Sequence, residues 1–341
     1  MKILIIGNMG YVGPVLMEYL SSKKVKYDGM DVNFFNNKKV NNLLKKKKVQ
    51  QTYIDVREIK NYQIKKYNAV VYLAAISNDP MGNEFQKTTF DINWKMAIKI
   101  AKMCKKVGVE KFIFASSCSM YGISKNKFKT EKSKLKPLTS YAKSKVRSET
   151  DLKKLSSKNF KVISLRFATA CGYSKNLRLD LVLNDFVTSA ILTKNITILS
   201  DGSPWRPLIH VKDMSRAIYW GIKLKMIKNN FLALNVGNTK MNFVIEDIAK
   251  KVTKIIKGCK YTINENAPAD KRSYSVDFTK YEKLSNHKKP LMNLDDSIKD
   301  LIRGIKKEKI PNNFRNSTYI RLNFIRNLIN KKKINKNLRF I

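Results

Sequence analysis

A chain of 341 residues is long enough for one large α/β domain or for two smaller ones sharing a cleft. With 43% hydrophobic and 10% aromatic residues it can fill a substantial core, which argues against disorder. The net charge of +43 invites a polyanion partner, such as nucleic acid or an anionic membrane. The lysines, however, run along the whole chain, in loops and on the polar faces of expected helices alike. We therefore read them as solvated surface and not as a nucleic-acid site, with a general pull on phosphate-bearing ligands as a by-product.

Residues 1–6 are basic and then apolar, but Gly7 ends the run at strand length, short of a signal-peptide core. The longest apolar stretch, 69–76, is also strand-sized and cannot span a bilayer. A soluble cytoplasmic protein with no membrane partner is expected. Cys104, Cys118, Cys171 and Cys259 stand far apart and form no CxxC pair. With His210 and His287 the two histidines, no metal site is expected, and reduced thiols suit a cytosol.

Residues 3–6 make the first expected strand, and Pro14 falls in the opening turn of the helix behind it. Further strands are expected at 27–31, 51–54, 70–75 and 112–115, with a short helix or loop at 38–48. Over 92–107, Met96, Ala97, Ile100, Ala101, Cys104 and Val107 share one helical face, and Gly108 is a stop. A helix over 141–155 follows. Strands alternating with amphipathic helices specify a doubly wound parallel sheet, a Rossmann-type α/β fold.

From Arg166 onward the pattern loosens. Helices are expected at 181–192, 214–224, 245–256 and 295–305, with Gly258 and Gly304 placed to end or loosen the last two. Strands are expected at 196–199, 207–211 and 233–236. We expect a Rossmann domain over 1–165, completed by returning segments near 207–237. A smaller C-terminal α/β substrate-binding domain over 166–305 is interleaved with it. Residues 306–341 form a basic tail whose amphipathic stretch, 319–329, docks on the body or on a second subunit.

Gly7, Gly10 and Gly13 follow the first strand directly and open a helix. Such a turn lets backbone N–H groups and a helix N-terminus approach a pyrophosphate. About 18 residues beyond Gly13, Asp31 ends the second strand, where a carboxylate can hold both ribose hydroxyls and repel a 2′-phosphate. That favours NAD over NADP. Asp55, after the third strand, can accept a hydrogen bond from the adenine amino group.

Tyr141 and Lys145 lie four residues apart and share one helical face. Carbinol oxidation needs a base for the hydroxyl proton, and a tyrosine of pKa ~10 is too weak a base source at neutral pH unless nearby cations favour its phenolate. Ser117 ends a parallel strand, on the edge where ligands bind in open α/β sheets, and its hydroxyl can hold the substrate oxygen.

These residues and their order resemble the extended short-chain dehydrogenase/reductases, the NAD-dependent epimerase/dehydratase group acting on nucleotide sugars. The resemblance runs from Met1 to about Leu301. It is carried by Ile5-Ile6-Gly7-Asn8-Met9-Gly10-Tyr11-Val12-Gly13, Asp55-Val56-Arg57 and Tyr72-Leu73-Ala74-Ala75-Ile76-Ser77. Phe114-Ala115-Ser116-Ser117-Cys118-Ser119-Met120-Tyr121-Gly122 and Ser140-Tyr141-Ala142-Lys143-Ser144-Lys145 continue it. Trp205-Arg206-Pro207-Leu208-Ile209-His210-Val211-Lys212-Asp213 and Asp270-Lys271-Arg272-Ser273-Tyr274 complete it.

The resemblance implies Ser117, Tyr141 and Lys145 as catalytic residues. It implies a cofactor site of Gly7, Met9, Gly10, Tyr11, Val12, Gly13, Asp31, Asp55, Val56, Leu73, Ala74, Ala75, Ser116 and Lys145. Substrate contacts are implied for Ser117, Cys118, Ser119, Thr169, Arg206 and Arg272, the two arginines facing the nucleotide diphosphate. The dehydratases of the group carry an Asp-Glu pair where this chain has Cys118 and Ser119, so elimination of water is not expected. Cys118 reads better as a small packing residue than as a nucleophile, and His210 as structural. The expected activity is an NAD-dependent nucleotide-sugar epimerase oxidising a carbinol at C4. A 4-keto reductase or dehydrogenase is the alternative, ahead of a non-catalytic NAD- or RNA-binding member. Family members commonly dimerise through the helices at 92–107 and 141–155, and a homodimer is expected here.

Overall fold

The computed structural model describes residues 1–124, 128–225, 228–264, 272–286 and 291–341. His287, Asp270 and Lys271 lie outside the described residues. The chain begins β1 (Lys2–Ile6), α1 (Val12–Ser22), β2 (Lys26–Asp31), α2 (Lys38–Lys46), β3 (Gln51–Tyr53), β4 (Ala69–Tyr72), α3 (Asp79–Glu84) and α4 (Gln86–Phe90). It continues α5 (Ala97–Lys106), β5 (Lys111–Ser117), α6 (Ser140–Leu155), β6 (Lys161–Phe167), β7 (Thr169–Cys171), α7 (Val182–Leu192), β8 (Asn195–Ile198) and β9 (Trp205–His210). The remainder is α8 (Val211–Lys223), β10 (Phe231–Val236), β11 (Asn242–Val244), α9 (Ile245–Ile255), β12 (Lys260–Ile263), α10 (Thr279–Ser285), α11 (Leu294–Ile305) and α12 (Arg321–Asn330).

Seven strands form one sheet in the order β10-β6-β5-β4-β1-β2-β3, and every pairing in it is parallel. The central strands are apolar on both faces because helices cover both. Ile3, Leu4, Ile5 and Ile6 of β1 are essentially inaccessible. Alternate side chains feed two cores, one holding Ile3, Ile5 and Val71 and the other Leu4, Ile6, Val70 and Tyr72. The strand order reverses between β4 and β1, which opens a crevice at the carboxyl ends of the strands.

β6 is absent from the expected strands, since its apolar residues are interrupted by Ser164 and Arg166. Both are buried, because Glu149 of α6 accepts from the Ser164 hydroxyl at 2.8 Å and from Arg166 Nη2 at 2.7 Å. The helix expected over 92–107 starts with a π-helical turn, Asp91–Met96. That turn swings Asn93 inward, where it accepts from Ile76 N–H at 2.8 Å and donates to the Ile76 carbonyl at 3.0 Å. π-turns of this kind recur at functional sites.

The expected strand at 207–211 is β9, and it lies outside the large sheet, between β7 and β11 in a three-stranded sheet. A second core surrounds it, built from α7, α9 and α11 with Leu183, Val187, Ile248, Leu208, Ile298 and Leu301. Gly304 does not end α11. It is buried one residue before the helix ends, where a Cβ would overlap the Tyr173 ring. Gly258 does follow its helix, with φ +72°.

Candidate active site

The turn after β1 is shaped by two contacts that exclude side chains. A Cβ on Gly7 would meet Ala74 N at 2.5 Å, and one on Gly13 would overlap the Asn8 carbonyl. Gly10 differs: an added Cβ would touch only Gly7 O, at 3.5 Å, and otherwise face open space. Nothing in the protein requires that residue to be glycine, so the free volume above it is a cradle a ligand backbone-close to the turn can use. Helix α1 opens there with no side-chain cap and no acidic residue in its first turn, so its N–H groups remain available to an anion.

Asp31 closes the other side of the turn. Its carboxylate accepts from Met9 N at 3.0 Å and from Asn33 N at 2.7 Å. Burial raises its pKa, against those hydrogen bonds and the Arg321 charge. Tyr11 is pinned to the second core through Gly172 O at 2.5 Å. Val12 packs beside it. Leu73 and Ala74 both donate to Ile6 O, at 2.8 and 3.0 Å, and so lie against the glycine turn, with Ala75 next in the chain. Val56 is buried in the core below, and Asp55 is gripped by Arg57, with 2.9 and 2.6 Å contacts to its two oxygens. The Ser116 hydroxyl, at the carboxyl end of β5, is buried with no hydrogen-bond partner among the described residues. A dinucleotide fits this set: an open anion cradle, a buried carboxylate beside it and an orphaned hydroxyl along one edge of the sheet.

Tyr141 and Lys145 extend the same edge. Thr139 caps α6 by accepting from Ala142 N at 3.1 Å, and donates to Asp79 at 2.6 Å, which ties the helix start to α3. A Cβ on Gly82 would press to 3.1 Å of the Tyr141 Cβ, so glycine there lets α3 approach the tyrosine. Tyr141 is half-buried, and the Ser117 side chain is among the groups that act on its hydroxyl. Burial pushes its pKa up to about 12, against the pull of Ser117. The Lys145 Nζ sits 5.6 Å from the Tyr141 ring centroid and donates to Ala115 O at 2.7 Å. Burial pushes this amine down to about 7, with Glu149 opposing.

Ser117 Oγ donates to Ser119 Oγ at 3.0 Å, so both hydroxyls share the pocket. Cys118 does not: its side chain is inaccessible, donates to Arg166 O at 3.0 Å, and has its thiol pKa raised by burial. From that position it packs the core and cannot reach a substrate. Arg206 and Arg272 come together, Arg206 donating to the Arg272 carbonyl and lying 5.8 Å from the Tyr274 ring. Arg272 pairs with Asp79. Thr169 is half-buried on β7, opposite Leu208. His210 is structural, joined to Asp300 at 3.0 Å and accepting from Lys212 N at 3.1 Å.

Sequence reasoning missed Arg178. It is buried between the glycine turn and the tyrosine, donating to Ser77 Oγ at 3.0 Å and to both oxygens of Asp180 at 3.0 and 2.8 Å. Its charge is felt at Tyr141 and at Tyr11. An Arg-x-Asp in a loop carries no signal of its own, and only the fold brings it to the sheet edge.

A switch-point crevice with an anion cradle, a buried acid at the end of the second strand and a Ser-Tyr-Lys cluster defines a dinucleotide-binding enzyme. The model of the "NAD dependent epimerase/dehydratase family" matches residues 3–237, and the chain belongs to that family; NAD is its cofactor. It is 25% identical over 321 residues to a UDP-glucose 4-epimerase of Lactobacillus helveticus, with 87% of this chain and 95% of that one covered. Over 279 residues it is 26% identical to a dTDP-D-glucose 4,6-dehydratase of Dictyostelium discoideum, covering 74% of this chain and 62% of that one. Among solved structures, a UDP-glucuronic acid 4-epimerase from Bacillus cereus superposes with a TM-score of 0.76 at 23% identity, covering 90% of this chain and 99% of that one. A UDP-glucose 4-epimerase from Thermus thermophilus gives 0.75 at 18%, with the same coverage.

Proposed function

We propose that this chain is a nucleotide-sugar epimerase that oxidises a sugar carbinol at C4 and reduces the keto-sugar from its other face. The observation that carries this reading is the Lys145 amine 5.6 Å from the Tyr141 ring, one helical turn away, at the same sheet edge as Ser117 and the glycine turn. Bound NAD supplies the hydride acceptor and later the donor. Tyr141 takes the carbinol proton, and Ser117 orients the oxygen. Lys145 favours the phenolate, whose formation is otherwise opposed by burial.

Arg206 and Arg272 would meet the diphosphate of the nucleotide, with Thr169 and Ser119 toward the sugar. The relatives named as UDP-sugar 4-epimerases support the substrate class and the carbon. The residues that follow Ser117 are not the acid and base a dehydratase needs, which favours epimerisation over elimination. Replacing Tyr141 with Phe is expected to leave NAD binding in place and to abolish conversion of a panel of UDP-, GDP- and dTDP-sugars, followed by chromatography of the products. Unchanged turnover would reject the assignment.

We also propose a cytoplasmic homodimer without nucleic-acid partners. Phe90, Trp94, Ile98 and Met103 lie half-buried beside α6. Arg147 stacks on Phe90 and Trp94 at 4.8 and 5.0 Å, an aromatic face of the kind subunits bury.

A further inference from the structure

The segment beyond α11 crosses the carboxyl ends of β2, β3 and β4, the same edge that carries the cofactor cradle. Ile325, Ile334 and Leu338 pack on Phe34 and Phe35 after β2 and on Ile76 and Met81 after β4. Arg57, after β3, donates to the carbonyls of Asn337 and Leu338 at 2.8 and 2.7 Å. The first residue of α12, Arg321, is carried by this packing into the crevice, where it is 5% exposed.

The Arg321 guanidinium carbon lies over the Phe35 ring, 3.8 Å from its centroid. Its Nη2 donates to the Asn176 carbonyl at 3.0 Å and to the Asn176 side chain at 2.7 Å. Asn176 in turn donates to Met9 O at 2.6 Å, inside the glycine turn. One side chain therefore separates Arg321 from the anion cradle. Among the described residues all its hydrogen bonds leave from Nη2, and it makes no ion pair. The nearby Asp180 is committed to Arg178, and Asp31 to Met9 and Asn33.

A buried cation without a carboxylate partner is destabilising unless something supplies the opposite charge. Nε and Nη1 make no hydrogen bond among the described residues, and Asn176 links the arginine to the turn that opens the uncapped α1, where a diphosphate is the anion that fits. We propose that Arg321 is a cofactor ligand contributed by the C-terminal segment, pairing with the pyrophosphate of NAD. Burial and the repulsion of Arg178 push its pKa down to about 9, against the charges of Asp180 and Asp31. The proposal rests on the family's use of NAD and not on the epimerase reading, because it concerns the cofactor alone.

The experiment compares Arg321→Met and Arg321→Lys with the parent, all stripped of nucleotide. Methionine keeps an apolar stem over Phe35 and removes the charge. NAD, ADP, adenosine and UDP are titrated by calorimetry, and melting is followed with and without NAD. The proposal expects Arg321→Met to weaken NAD and ADP by about 10- to 100-fold, the scale of a lost charge-assisted contact. Adenosine and UDP should bind as before, Arg321→Lys should recover part of the loss, and the nucleotide-free melting point should hold or rise. Unchanged NAD affinity overturns it, as does a loss confined to UDP, which would assign the arginine to the substrate. A lowered nucleotide-free melting point with equal losses for adenosine and ADP would make Arg321 a packing residue, and also overturns it.

Discussion

Lys145 and Tyr141 carry opposed pKa shifts, and the sign of each has a measurable consequence for the nucleotide-free protein. In the folded chain Lys145 loses its proton at about 7, against an ordinary value near 10.5 in the unfolded chain. Between pH 7 and 10.5 the unfolded state therefore binds the extra proton, and stability from this group rises with pH. Below pH 7 both states are protonated and the full destabilisation is present. Tyr141 acts higher: folded, it keeps its proton to about 12, so its contribution falls between pH 10 and 12. Urea denaturation at pH 6.5 and 9 should show the nucleotide-free protein more stable at pH 9, and Lys145→Met should flatten that difference. An unchanged slope in the variant would remove Lys145 as its source.

The residue scale also shows what the sequence could say about the site. The positions of the glycines, Asp31, Ser117, Tyr141 and Lys145 were legible because each sits at the end of a readable strand or on one face of a readable helix. Cys118 was misplaced among the substrate contacts because a strand's end does not reveal which face its last side chains take. Arg178 and Arg321 were invisible, since each reaches the crevice from a loop or helix far along the chain.

At the scale of elements, strands with unbroken apolar runs were readable, whereas β6 was not. Its polar residues satisfy partners on α6, a pairing across 15 and 17 positions of sequence. Arg166 is held by Glu149 through Nε and Nη2, and Tyr121 accepts from its Nη1 at 3.0 Å. The cluster bolts the helix bearing Tyr141 to the sheet. Removing one member leaves a buried charge uncompensated, which typically destabilises by about 3–5 kcal/mol. Glu149→Ala should reach that range in urea denaturation, whereas a loss below about 1 kcal/mol would mean that water replaces the carboxylate. The π-turn at Asp91–Met96 escaped notice for a related reason. It accompanies the bonds between Asn93 and Ile76, which periodicity within the helix cannot express.

Across the whole molecule, the basic tail was legible as amphipathic but not as to where it goes. Arg315 pairs with Asp185 of α7 at 2.6 Å, and two exposed arginines also reach back to the body, Arg326 to Glu84 at 2.6 Å and Arg339 to Glu58 at 2.6 Å, while Lys331, Lys332, Lys333 and Lys336 stay at the surface. Those two exposed ion pairs contribute little by themselves. The apolar contacts matter more: Ile325, Ile334 and Leu338 are at most 2% exposed, and burying each is worth about 1.5–3 kcal/mol. A chain ending at Ile310 would uncover Phe34, Phe35, Ile76 and Met81 at the mouth of the cofactor crevice. It should melt at a lower temperature in calorimetry and expose apolar surface to a dye that fluoresces on hydrophobic binding. If the shortened chain melts with the full one and binds no more dye, the tail rests on the body without supporting it. The crevice would then be complete over residues 1–310.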